Sequence, residues 1–199
     1  MCFGNKSNPD VEKVIELVKT KHKSLILNGN FRFLVFSKGS YTFVNKGHFS
    51  QHFFNGKFTA SLRQDRGSIL DYFSMIEFLV NELINLKITG LNSEKSFILE
   101  ELLDGMDLFS KIKFLEKFKL IESKTSGLIF CTKEVRNSFA HNLGMELKQT
   151  TYKNKLLIQD FQSFKEDVET IWNKLVDSYQ EELEKNDMKN LIDAIEKLT

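Results

Sequence analysis

Between Asp10 and about Ser24, apolar residues recur three and four apart, at Val11, Val14, Ile15 and Val18. Pro9 stands just ahead, where the first turn of a helix tolerates it, so the spacing predicts a short amphipathic helix. The period then shortens to two. "FRFLVFSKGSYTFV" is a pair of aromatic and β-branched runs around "SKGS", which predicts a β-hairpin, and "GKFTASL" is a candidate third strand. Gly47, Gly56 and Gly67 punctuate this part of the chain, and a boundary is expected near Arg66, between a segment 1–66 and a helical domain 67–199.

From Ser68 the pattern is helical. "SILDYFSMIEFLVNELINLKI" is apolar almost all round, with a narrow polar stripe through Asp71, Ser74, Asn81 and Asn85, as expected of a central helix packed on several sides. Gly90 ends it, and Asn92 or Ser93 can cap the next segment, in which Gly105 and Asp107 predict a break into two shorter helices. A third main helix is expected from Thr125 or Ser126 to Gly144. A long final helix from about Lys155 carries Phe161, Phe164, Val168, Ile171, Leu175 and Tyr179 three and four apart, a stripe for the core or for a partner helix. Met188, Leu191, Ile192, Ile195 and Leu198 predict a short terminal helix. The fold class expected is therefore mainly α, a four- to five-helix bundle with a small N-terminal α/β-hairpin segment.

Composition adjusts this picture in three ways. A single proline suits a helical chain, while 19 phenylalanines in 199 residues supply an unusually aromatic core. No apolar run approaches the roughly 20 residues of a membrane span, and the first residues lack the layout of a signal peptide, so a cytoplasmic protein with no membrane partner is expected. Cys2 and Cys131 are too few for a disulfide framework and no CxxC or His-rich spacing offers ligands, so neither a metal nor another cofactor is expected.

Charge is uneven along the chain. Up to Arg66 there are 11 basic and 4 acidic residues, +7, and beyond it 17 basic and 23 acidic, −6, which together make the net +1. A basic segment on an acidic body is a handle for nucleic acid or simply a solvated surface. The aromatics of "NFRFLVF" and "HFSQHFF" are interleaved with cations and suit either base stacking or the buried side of a sheet; alternation favours burial. His48 and His52 are four apart but lack a third ligand, so together with His22 they read as surface or RNA-contacting residues.

The densest chemistry lies in "KEVRNSFAHN", residues 133–142. On a helix Asn137 and His141 share a face with Arg136 beside them, while Phe139 and Leu143 point elsewhere and Val135 is also apolar. Glu77 and Asn81 of the central helix are candidate supports for this cluster, or part of a solvated stripe.

"RNSFAH" resembles the Arg-x(4 to 6)-His motif of the HEPN superfamily, whose members often have Asn after the Arg and a small residue before the His, here Asn137 and Ala140. The order of an apolar helix, an interrupted helical segment, the motif helix and a long closing helix resembles that family too, from about Ser68 to Glu184. The resemblance implies a bundle that dimerises with its motif helices facing each other, and a metal-independent endoribonuclease acting on single-stranded RNA. In it Arg136, Asn137 and His141 would be catalytic: His141 as proton acceptor, Arg136 on the phosphate charge, Asn137 orienting one or the other. It further implies a toxin or phage-defence effector, with an antitoxin or other regulatory partner protein. The motif also resembles that of mannitol operon repressor-like proteins, which implies a non-catalytic RNA-binding or regulatory module instead. A third alternative is a dimer in which the Arg and His only stabilise the interface.

Overall fold

The computed structural model describes residues 30–37, 39–45, 48–54, 57–60, 62–141 and 149–186, with Lys13, Glu16, Leu17 and Thr20 as isolated positions. Those four are all helical, and Thr20 Oγ1 donates to the Glu16 and Leu17 carbonyls one turn before it. The rest of the expected helix at 10–24, the stop at Gly144 and the terminal helix through Leu198 lie outside the described residues.

The protein is mainly helical with a small N-terminal β region. Its described residues group into two compact units that do not follow a single cut in the chain. One takes those of 1–56, 82–105 and 179–186; the other takes those of 57–81 and 106–178.

In the first unit, β1 (Phe33–Ser37), β2 (Ser40–Asn45) and β3 (His48–Phe53) form an antiparallel sheet in the order β1-β2-β3. Gly39, at φ +69, makes the tight reversal that sets Ser37 opposite Ser40 and Phe36 opposite Tyr41. The third strand is not "GKFTASL", whose residues 57–60 form a turn, but the preceding "HFSQHF". Burial also exceeds what alternation predicts: Phe33, Leu34, Val35 and Phe36 are all buried, so both faces of β1 are covered. Phe33 and Phe36 are therefore core, whereas Phe53 of β3 is 77% exposed. Tyr179 completes this core, its hydroxyl accepting the Leu34 N–H at 2.8 Å and its ring meeting Phe36 edge-on. The short α2 (Ser93–Asp104) belongs to the same unit and is capped by the Asn92 side chain, which accepts from the Glu94 and Lys95 amides.

Helix α1 (Arg66–Thr89) matches the apolar stretch expected at 68–88. Its polar stripe does not run its full length: Asp71 and Ser74 are exposed, but Asn85 is buried. The second unit holds α1 up to Asn81, α3 (Leu108–Lys117), α4 (Ser123–His141), the two-residue strands β4 (Thr151–Tyr152) and β5 (Lys155–Leu156), and α5 (Phe161–Lys185) up to Ser178. The break at Gly105 is as the sequence indicates, with the Asp107 carboxylate accepting from Ser110 N–H at 3.1 Å to start α3. The closing helix begins at Phe161 rather than Lys155, because Lys153 and Asn154 adopt left-handed φ of 48° and 66° and turn the chain into the β4–β5 hairpin. Tyr152 anchors that hairpin through its hydroxyl to Asp167 at 2.7 Å. The Phe161, Phe164, Val168, Ile171, Leu175 and Tyr179 stripe is buried throughout, as core. Phe58 stacks on Trp172 at 4.0 Å between centroids, and Thr59 binds Glu169 through both its amide and its hydroxyl.

Candidate functional site

Helix α4 places the motif. Val135 and Phe139 are fully buried, and Thr132 joins them on the inward face. The opposite face, which carries Asn137, is half-buried to exposed. The split follows from the 3.6-residue period, since positions 132, 135 and 139 fall together and 130, 134, 137 and 141 fall opposite.

Arg136 leaves the edge of that outer face toward α1. Its Nη1 donates to Asn137 Oδ1 at 3.1 Å, so the structure brings two of the three motif side chains together. Its Cζ lies 5.7 Å from the centroid of the Phe73 ring, a cation–π distance. Its Nη2 approaches Glu77 Oε2 to 3.9 Å, and both side chains are a third exposed. This is a loose, solvent-screened pair, of a kind contributing about 0–1 kcal/mol. The guanidinium is thus oriented by a ring and an amide while its charge is only weakly satisfied. His141 is the last residue of α4, one turn beyond Asn137, and its side chain lies outside the described residues.

Of the two candidate supports on α1, Glu77 reaches Arg136. Asn81 does not bond to the motif; its Oδ1 is buried with no hydrogen-bond partner among the described residues. Phe73 could not be picked out from the sequence as a site residue, because its spacing on α1 is that of any core position.

Among the described residues of the N-terminal basic segment, Arg32 is not a free surface charge. Arg32 is buried between Glu82 and Glu100, its guanidinium bonded to both and lying over Phe43 at 5.2 Å. Burial pulls the Arg32 guanidinium down, but the two carboxylates outweigh it and hold it above its ordinary value. His52 is exposed and stacked on Tyr41 at 4.7 Å, with Ser50 Oγ 3.1 Å from its Nε2. Among the described residues no group of three or more His, Cys, Asp or Glu is placed to hold a metal, and no helix is long and apolar enough to cross a membrane. Compared with known protein families, with curated proteins and with solved structures, the chain has no match.

Proposed function

We propose that the chain is a HEPN-type endoribonuclease that cleaves single-stranded RNA without a metal, acting as a homodimer in which two α4 helices share one site. The observation that carries this reading is the state of Arg136: held over Phe73 and bonded to Asn137, yet a third exposed and only loosely countered by Glu77. A planar, permanently charged fork in that condition is prepared for a phosphate.

The reaction is attack of a ribose 2′-oxygen on the adjacent phosphorus. The 2′-hydroxyl proton passes to His141 as the new P–O bond forms; the bond to the 5′-oxygen breaks, and that oxygen takes a proton from an imidazolium. The products are a 2′,3′-cyclic phosphate and a 5′-hydroxyl. Arg136 bears the charge that grows on the non-bridging oxygens, a contribution of about 10²- to 10³-fold, and proton transfer by His141 adds about 10²- to 10⁴-fold. Each chain brings one such Arg and His, so a second copy doubles the groups available to accept one proton and donate another. A toxin or defence role, held in check by a partner protein, fits an enzyme of this kind.

The test is cleavage of single-stranded RNA in the presence of chelator by the wild type, Arg136→Ala and His141→Ala, alongside the mass of each in solution. Loss of cleavage in both variants with the dimer intact supports the proposal. RNA bound but not cut by the wild type points instead to a non-catalytic regulatory module. Loss of the dimer with RNA behaviour unchanged assigns Arg136 and His141 to the interface alone.

A further inference from the structure

The second unit carries an aromatic pair, one ring exposed and the other half-buried, that the chemistry above does not use. Phe109 on α3 is 52% exposed, and its ring lies 5.5 Å from that of Phe130 on α4, tilted by 30°. Lys113, one turn along α3, places its Nζ 5.6 Å from the Phe109 centroid. That ammonium also meets Glu116 at 2.7 Å, and the lysine side chain is half exposed.

Two further observations give the pair a direction and a charge. Phe130, Asn137 and position 141 are seven and eleven residues apart, so they line one face of α4, with about 10 Å of helix rise between Phe130 and Asn137. Residues 106–141 contain seven basic and four acidic residues, whereas the remainder beyond Arg66 contains ten basic and nineteen acidic. The positive charge of the helical part is therefore concentrated on α3, α4 and their connections.

From these we infer that Phe109 and Phe130 form a stacking subsite for an unpaired base of single-stranded RNA, with Lys113 on the neighbouring phosphate, along the same face of α4 as the cleavage motif. The inference rests on the ribonuclease reading for the direction in which the strand runs. An aromatic face beside a cation, within a segment of net positive charge, is the arrangement that holds single strands without reading sequence. A second copy of the chain is the less suitable occupant, because interface cores are depleted in lysine and this lysine lies against the ring itself.

The probe is a short 2′-O-methyl oligoadenylate, which lacks the attacking hydroxyl and so reports binding alone, with its duplex as control. Phe109→Ala in the full chain is expected to weaken single-strand binding about tenfold. Phe109→Trp is expected to restore it, with indole fluorescence that falls as the oligonucleotide is added. Unchanged binding by Phe109→Ala overturns the inference, as does equal affinity for the duplex. Conversion of the dimer to a monomer with binding unaffected overturns it in favour of a copy-to-copy contact. Failure of the ribonuclease reading is separately visible: a wild type that cuts no RNA, yet binds the probe in a Phe109-dependent way, leaves the stacking subsite standing.

Discussion

Two arginines in this protein have the same kinds of neighbour and opposite circumstances. Arg32, in the first unit, lies over Phe43 and bonds to Glu82 and Glu100; Arg136, in the second, lies over Phe73 and meets Glu77. The Arg32 and Glu82 side chains are 7% and 4% exposed, those of Arg136 and Glu77 both 33%. Water decides what each pair is for. Where water is excluded, an unpaired charge is expensive, so the Arg32 cluster is bound to its partners and serves the fold. Where water reaches, the attraction is screened and the partner exchangeable, so the Arg136 guanidinium can trade a carboxylate for a phosphate.

Arg32→Ala leaves Glu82 buried without its counter-charge, and breaking a buried pair on one side costs about 3–5 kcal/mol. Denaturant unfolding should show a loss of that size, against less than about 1 kcal/mol for Arg136→Ala. Similar small losses for both would mean that burial does not separate the two arginines.

The pH dependence of stability sharpens the same contrast. Burial pushes the Glu82 carboxyl above its ordinary value, more than the bond and charge of Arg32 pull it down, and Glu100 pushes it further up. With the folded pKa above the unfolded one, the folded state binds more protons between the two values, so this group's contribution is fully present at lower pH and is lost as pH rises through its raised folded value. Glu82→Gln keeps a polar partner for Arg32 and removes the titration. The stability of the variant relative to wild type should therefore rise with pH across that window. A flat difference would show that Glu82 ionises in the fold as it does in the unfolded chain.

None of this contrast is legible in the sequence. Arg32 and Glu82 are 50 positions apart, and the cost of their burial arises only when β1 and α1 come into one core. Local features were far more readable. The apolar run of α1, the break before Asp107 and the hairpin around Gly39 each follow from the residues themselves. At two places tertiary contacts or backbone turns override local propensity. "GKFTASL" has strand-forming residues, but Thr59 is bonded to Glu169 and its segment is a turn; and the helical-looking approach to α5 is interrupted by Lys153 and Asn154 in left-handed conformations. Of those two, only Asn154 is a residue type that favours such a conformation. At the candidate site, helical period alone gave the shared edge of Arg136 and Asn137, while the contact to Phe73 required tertiary packing.

The smallest expected effect concerns Glu77, and it separates two roles for that carboxylate. If Glu77 merely neutralises Arg136 until a phosphate arrives, Glu77→Gln removes a competitor. Stability should then change by no more than about 0.5 kcal/mol, as for most surface positions. An exposed pair worth about 0.2–1 kcal/mol corresponds to at most about a fivefold gain in affinity for the 2′-O-methyl single strand. That gain should shrink as salt is added, because salt already screens the pair in the wild type. If Glu77 instead holds the guanidinium over Phe73 in the geometry a phosphate needs, the same substitution should weaken binding, and it should do so at every salt concentration. The 3.9 Å separation, too long for a hydrogen bond, favours the first outcome: a carboxylate that positioned the fork would grip it.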